Sequence, residues 1–225
     1  MSIRNTPFVS GEYYHIYNRG NGKHEIFLDD EDYDRFIKLL YVCNSEKKFV
    51  FRDSITDIGI DAFDFEREEP LVSIISWVLM PNHFHIFLIS HRSDLWEEDY
   101  NPITEFMRKL STAYAMYFNK KYGRSGSLFE GKFKSKHVEQ DSYFNYLFAY
   151  IHLNPIKLIQ SDWKEKGIKN PQQAREYLSE YKYSSFQDYF GKERKEGKII
   201  DMKNITKEIQ NAHIKELFEW IAISP

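Results

Sequence analysis

Apolar and polar positions alternate along parts of this chain with a period of two residues, which is typical of β-strands. Such runs predict strands at Glu12–Asn18, Leu71–Leu79, His83–Ser90 and Ser127–Val138. The second run is apolar except for Ser73 and Ser76, which predicts a buried strand. Pro81 and Asn82 interrupt it, so His83–Ser90 either continues that strand or turns back and pairs with it; the pattern fits both.

Three other segments repeat their apolar residues every three or four positions, which predicts amphipathic helices. The first begins after a capping carboxylate, Asp29 or Asp30, and the second after Asn101 with Pro102 in its first turn. The third spans about residues 141–153. Pro155 ends it, because proline cannot continue helical hydrogen bonding.

The predicted order is strand, helix, strand, strand, helix, strand, helix. This order predicts an α+β domain with an antiparallel sheet and helices packed on one face. We assign residues 1–160 to this domain, with an acidic insertion at about 54–70. Residues 161–225 form a predicted C-terminal extension, because short segments replace the long periodic runs there.

Composition narrows the class of protein. With 225 residues the chain is long enough to bury a core. Its single cysteine, Cys43, excludes internal disulfides and predicts a reducing, cytoplasmic compartment. The first residues contain no apolar leader, and no apolar run is long enough to span a bilayer, so we expect no membrane association.

The charges are unevenly distributed. The net charge of −3 argues mildly against nucleic-acid binding. Residues 108–137, however, carry eight Lys and Arg against one Glu, a local charge of +7, whereas residues 54–70 carry six acids and one Arg. The basic segment fits a surface that follows a phosphate backbone, and it equally fits a solvated helix end.

Two histidines stand one residue apart in the run WVLMPNHFHIFL, Trp77–Leu88. Alternate side chains of a strand share a face, so His83 and His85 point the same way, where two neutral imidazoles can bind one metal ion. Two half-buried structural histidines would give the same pattern. His15 in the first strand is a further ligand candidate, although a single strand histidine is more often structural.

The third predicted helix carries a second row of side chains beside its apolar face. This row is formed by Tyr143, Tyr146, Tyr150 and Asn154. Asn154 stands at the helix end, where its amide oxygen could reach a metal. An aromatic helix face in a tyrosine-rich chain gives the same pattern. The hydroxyl of Tyr150 could act as a nucleophile, and Tyr146, one turn earlier, is the alternative. His152 lies on the opposite side of the helix from this row, so we do not include it among the candidate site residues.

These residues stand in motifs that resemble those of REP-associated tyrosine transposases, which belong to the HUH single-strand transposase superfamily. The matching stretches run in family order over nearly the whole chain: YHIYNRGN (Tyr14–Asn21), IFLDDEDYDRF (Ile26–Phe36), WVLMPNHFHIFL (Trp77–Leu88), GSLFEGKFKSK (Gly126–Lys136), YIHLNP (Tyr150–Pro155) and YKYSSFQDY (Tyr181–Tyr189). The pair MPNHFH and YIHLNP, some 70 residues apart, is far more specific than either motif.

The resemblance implies a ferredoxin-like α+β catalytic domain. It also implies a bacterial endonuclease that cleaves and rejoins single-stranded DNA next to hairpins, as in transposition and DNA recombination. By match to the family motifs, His83 and His85 are the metal-binding pair and Asn154 is the third ligand. Tyr150 is the nucleophile that forms a 5′-phosphotyrosine intermediate.

The same resemblance implies a divalent cofactor, Mg²⁺ or Mn²⁺, and single-stranded DNA with REP-like hairpins as the partner. It implies a nucleoid-associated protein of a prokaryotic cytoplasm, and leaves open whether it is a monomer or a homodimer. The candidate DNA contacts are Arg19, Arg124, Lys132, Lys134 and Lys136, with the three lysines on one face of the predicted strand. The acidic insertion and the low overall positive charge depart from the family pattern.

Two other functions stay open. A non-catalytic hairpin DNA-binding protein derived from a transposase would bind without a metal and form no covalent product. A metallohydrolase with a water nucleophile would need further acidic ligands, for which Glu25, Asp29 and Asp30 are the nearest candidates.

Overall fold

The computed structural model describes residues 7–48, 50–89, 100–139 and 141–202, together with Leu217 and Glu219. The strands are β1 (Tyr13–Arg19), β2 (Ser73–Met80), β3 (His83–Ile89) and β4 (Lys134–Val138). The helices are α1 (Asp30–Val42), α2 (Pro102–Lys121), α3 (Asp141–Leu153), α4 (Trp163–Lys166), α5 (Pro171–Glu180) and α6 (Phe186–Tyr189). The predicted extension is therefore described mainly over residues 161–202.

The four strands form one antiparallel sheet in the order β2-β3-β1-β4. Met80 pairs with His83, so β3 turns back onto β2 and does not continue it. The βαββαβ order with this strand arrangement is ferredoxin-like, and the predicted α+β class is confirmed.

Helices α1 and α2 pack on one face of the sheet. The Phe84 ring of β3 lies 5.0 Å from Phe36 of α1, and Phe36 lies 4.9 Å from Tyr114 of α2. All three side chains are fully buried. Burial of each such ring stabilises the fold by about 1.5–3 kcal/mol.

Helix α3 covers the opposite face. Its Phe144 ring lies 4.5 Å from Phe87 of β3 and 4.8 Å from Tyr13 of β1. The expectation of helices on one face therefore holds for α1 and α2, which belong to the βαββαβ unit, but not for α3. Because α3 follows the completed unit, it is free to cross the face that the unit leaves open.

The strand predicted at Ser127–Val138 begins only at Lys134. Gly131 has a φ of 81°, a left-handed conformation that glycine adopts readily and that interrupts an extended chain. Lys132 consequently precedes the strand, while Lys134 and Lys136 alternate with their neighbours and share one face of it.

The extension lies along the outer edge of β2. The Leu79 N–H donates to the Tyr183 carbonyl at 2.9 Å, and the Ser185 N–H donates to the Trp77 carbonyl at 2.9 Å. These bonds satisfy backbone groups that an edge strand would otherwise expose. The domain boundary at residue 160 stays a prediction.

A second apolar cluster joins the extension to the back of α3. Its buried members are Ala149, Leu153, Ile156, Trp163, Ile168, Ala174, Leu178, Phe186 and Leu217. The extension therefore fixes α3 from behind, on the side away from the sheet.

The acidic insertion forms two short helical turns, Arg52–Thr56 and Ala62–Asp64. The Phe63 ring lies 5.4 Å from Tyr41 of α1, and the Asp61 carboxylate pairs with Lys195 at 2.7 Å. The insertion is thus packed between α1 and the extension. Within the described ranges, no helix has the length and apolar character that crossing a membrane requires.

Candidate active site

His83 and His85 lie on the face of the sheet that α3 covers. Their ring centroids are 5.1 Å apart and their planes are nearly perpendicular. His85 stands in the centre of the sheet, opposite Tyr17 of β1 and Val78 of β2, and is buried. The structure therefore places both imidazoles on one face, as the strand period predicts.

Both imidazoles are held neutral. Burial, together with the nearby charge of Lys157, lowers the pKa of His83 to about 4. Burial also lowers the pKa of His85 well below its usual value. The Nδ1 of His83 lies 2.6 Å from the amide oxygen of Asn82, which can only accept, so Nδ1–H donates. This tautomer leaves the lone pair of Nε2 available to a metal ion.

His15 supports His85 from the neighbouring strand. The His15 Nε2 and the His85 Nδ1 are 2.8 Å apart in a buried hydrogen bond. Burial, with a contribution from Lys136, lowers the pKa of His15 to about 4, so both rings are neutral and one donates to the other. When His85 donates through Nδ1, its Nε2 lone pair is free, which is the arrangement typical of metal-binding histidines.

Asn154 links the histidine pair to Tyr150. Its side chain is only 3% exposed and acts on the pKa of both the His83 ring and the Tyr150 hydroxyl, so it lies close to each of them. Helix α3 ends at Leu153 and a 3₁₀ turn begins at Asn154, which carries the amide to the helix end. The Tyr150 ring lies 5.5 Å from His85, edge to face.

Burial raises the pKa of Tyr150, while the nearby Asn154 side chain and the charge of Lys157 act in the opposite direction. The hydroxyl is therefore protonated at neutral pH and needs activation before it can attack a phosphate. Its contacts with Asn154 and His85 place it beside any metal that the two histidines bind.

Two alternatives on the same helix are placed differently. Tyr146 lies one turn earlier, is 36% exposed, and stacks parallel to Tyr150 with ring centroids 6.1 Å apart. His152 is fully buried, and its Nε2 lies 2.8 Å from the Ser185 hydroxyl of the extension. His152 thus contacts the extension and lies away from the row that contains Tyr150, as its helical position predicts.

The three candidate ligands offer two imidazole nitrogens and one amide oxygen. In the described part of the chain, no group of three or more His, Cys, Asp or Glu side chains is placed to hold a metal ion, so the set depends on Asn154. Neutral imidazoles fit a first-row divalent ion, whereas Mg²⁺ prefers oxygen ligands. The donor chemistry fits Mn²⁺ better than Mg²⁺ and leaves positions open for phosphate and water.

Three of the five candidate DNA contacts share the face of the histidines. Arg19 pairs across the sheet with His83, Lys134 with Tyr17, and Lys136 with His15. Lys134 and Lys136 are exposed.

Arg19, despite its position, and the two remaining candidates are less suited to contact DNA. The Arg19 guanidinium is bound by both oxygens of the Glu130 carboxylate, which neutralises its charge. Arg124 lies beyond α2, where its guanidinium is 5.5 Å from the Phe118 ring, and the structure does not bring it to the histidines. Lys132 is exposed ahead of β4.

Two lysines close to Tyr150 escaped the sequence analysis. The Lys164 ammonium lies 3.8 Å from the centre of the Tyr150 ring, and the charge of Lys157 acts on both Tyr150 and His83. Lys157 follows YIHLNP by two residues, which is a signal that sequence alone could have given. Lys164 lies in the extension, and only the fold brings it to α3.

No protein-family model matches the chain, and no curated protein matches it. Solved structures that resemble it include a REP-associated tyrosine transposase bound to a REP hairpin, with 14% identity over 85% of this chain and 87% of that chain and a TM-score of 0.49. A Deinococcus radiodurans R1 protein provisionally named a transposase has 16% identity, covers 64% of this chain and 92% of its own, and has a TM-score of 0.34. A bacterial tRNA(His) guanylyltransferase (Thg1)-like protein in complex with ATP has 11% identity over 79% of this chain and 71% of that chain, with a TM-score of 0.37.

The resemblance to REP-associated tyrosine transposases that the motifs indicate is thus also found among solved structures. At these identities the likeness carries no information about activity. The fold assignment rests on the strand order of the chain itself.

Proposed function

We propose that this chain is a metal-dependent single-stranded DNA transposase or endonuclease that cleaves and rejoins DNA next to hairpins through Tyr150. One observation carries the proposal: the Tyr150 ring lies 5.5 Å from the His85 ring, edge to face, and the buried Asn154 side chain lies close to both Tyr150 and His83. A potential nucleophile, a neutral metal-binding nitrogen and a bridging amide therefore meet at one point.

In the proposed reaction the Tyr150 oxygen attacks the scissile phosphorus and loses its proton to solvent. The bond from phosphorus to the 3′ oxygen breaks, and that oxygen takes up a proton. The products are a 5′-phosphotyrosine and a free 3′-hydroxyl. Because one phosphoester replaces another, the 3′-hydroxyl can reverse the step and rejoin the strand without an external energy source.

The side chains divide the remaining tasks. His83 and His85 would hold the divalent ion with Asn154, while Asn154 also orients the Tyr150 hydroxyl. A bound Mn²⁺ or Mg²⁺ would polarise the phosphate and favour the ionised phenol, whose pKa burial raises. The motif resemblance supports hairpin-bearing single-stranded DNA of a prokaryotic nucleoid as the substrate.

The water-nucleophile alternative has less support, because two of its three candidate acids are engaged elsewhere. Asp29 caps α1 and accepts from Lys121 at 2.8 Å, and Asp30 pairs with Lys182 at 2.8 Å. The non-catalytic hairpin-binding alternative is separated by the experiment below.

The test is to incubate the protein with labelled single strands that carry hairpins, with and without Mn²⁺, and to look for a covalent protein–DNA band on a denaturing gel. We expect a band that EDTA and Tyr150→Phe remove and that Tyr146→Phe, the matched control one turn away, leaves. A band that persists in Tyr150→Phe contradicts the proposal. Cleavage without a band favours the water nucleophile, and hairpin binding without cleavage favours the non-catalytic protein.

A further inference from the structure

We propose that Lys157 and Lys164 bind a backbone phosphate of the DNA strand beside Tyr150, so that the C-terminal extension contributes part of the substrate site. This inference rests on the proposed function in that it takes the substrate to be a single strand. Neither lysine belongs to the candidate DNA contacts that the sequence indicated.

Their position is the first argument. The Lys164 ammonium lies 3.8 Å from the centre of the Tyr150 ring, and its positive charge also acts on His83 and His85. Lys157 lies in the 3₁₀ turn that begins at Asn154, and its charge acts on Tyr150 and His83. Both cations therefore lie close to Tyr150, the residue at which the proposed attack takes place.

Their charge is the second argument. In the described part of the chain, no carboxylate forms an ion pair with Lys157 or Lys164, and both side chains are exposed. The neighbouring Lys166 and Lys169 instead share the Asp162 carboxylate, at 3.1 Å and 3.3 Å. Two cations at one site thus lack an anion, and a phosphate of the substrate supplies one.

The path that these lysines define for the DNA strand is the third argument. Lys134 and Lys136 lie on β4 at one side of the histidine face, and Lys136 lies 3.9 Å from the centre of the Tyr143 ring of α3. Lys157 lies in the turn that follows α3, and the Lys164 ammonium lies over the Tyr150 ring. A single strand that contacts both lysine pairs passes over Tyr150, with bases free to stack on exposed rings.

The experiment measures the salt dependence of binding to a labelled oligothymidine strand in EDTA, so that no strand is cleaved. Each phosphate of a single strand that the protein neutralises adds about 0.7 to the magnitude of the slope of log affinity against log salt. We expect Lys157→Met with Lys164→Met to lower that magnitude by about 0.7, and Lys157→Arg with Lys164→Arg to restore it. Methionine keeps an unbranched apolar chain over Tyr150, so a purely structural role would leave the slope unchanged.

The matched control is Lys166→Met with Lys169→Met, which removes the same two charges from the same segment but from lysines already paired with Asp162. We expect this variant to keep the wild-type slope. Equal slopes in the two double variants, lowered or not, overturn the inference. The covalent assay is read separately. If the wild-type protein forms no adduct, the proposed function is wrong. If it forms the adduct but the Lys157→Met, Lys164→Met variant keeps the wild-type slope, only the role of these lysines is wrong.

Discussion

On one face of the sheet, Phe84 of β3 packs against Phe36 and the interior of α1 and α2. On the other face, the residues on either side of it in the same strand, His83 and His85, make hydrogen bonds. The apolar face stabilises the protein by burying surface, whereas the histidine face buries polar groups, which costs free energy unless each is hydrogen-bonded. The comparison shows that alternate positions of one strand supply a core residue and the candidate metal ligands.

The largest contrast is expected between Phe84→Ala and His85→Ala. Removal of the fully buried Phe84 ring lowers the free energy of unfolding by about 3–5 kcal/mol. His85→Ala leaves the buried His15 without its partner and costs about 1–3 kcal/mol. Urea unfolding gives both values. Under conditions in which both variants are folded, Phe84→Ala should still form the covalent protein–DNA adduct, and His85→Ala should not. The reverse order of activities would contradict this division between the two faces.

A metal titration of adduct formation sharpens the contrast on the histidine face. We expect His83→Gln to raise the Mn²⁺ concentration for half-maximal rate by more than about tenfold, because a ligand is lost. His24→Gln is the control, since His24 is exposed on the loop after β1. Identical titrations for the two variants would show that His83 does not bind the metal.

His15 tests whether support from a neighbouring strand matters. His15→Phe keeps a ring but cannot accept from His85, and we expect Mn²⁺ affinity to fall about tenfold. His15→Gln supplies an amide oxygen in place of the ring nitrogen and should recover most of the loss. Equal affinities in the two variants would remove the supporting role from His15.

The smallest expected effect concerns His137, a fourth sheet histidine, which stacks on Tyr14. The carboxylates of Glu12 and Glu139 raise the pKa of His137, whereas burial lowers the pKa of the three histidines near Tyr150. A raised pKa contributes stability that is complete below about pH 6.5 and is lost as pH rises through the folded value. We expect His137→Gln to remove less than about 1 kcal/mol of pH-dependent stability. The check is thermal unfolding from pH 5 to 9, and an unfolding temperature difference between variant and parent that grows with pH would contradict the sign.

The sequence predicted the parts of the molecule that depend on local periodicity. The order of strands and helices, the cap Asn101 and the shared face of His83 and His85 all follow from spacing, and the structure agrees. The cap of α1 was left open between Asp29 and Asp30, and the structure has Asp29. The start of β4 was predicted too early, because a glycine with positive φ breaks a run whose side-chain pattern still looks extended.

The parts that the sequence missed depend on contacts between distant segments. His15 meets His85 across 70 residues, and Lys164 reaches Tyr150 only because the extension packs behind α3. The face that α3 covers also could not be read from its apolar stripe, since either face of the sheet would bury it. The roles assigned to Tyr150, Asn154 and the histidines stay predictions.

The most direct measurement is to digest the covalent protein–DNA product with trypsin and a nuclease and to locate the modified residue by mass spectrometry. The peptide that spans residues 137–157 contains Tyr143, Tyr146 and Tyr150, so fragment ions distinguish them. The account predicts a nucleotide phosphate on Tyr150 alone. A phosphate on Tyr146 or Tyr143, or cleaved DNA with no modified tyrosine, would contradict it.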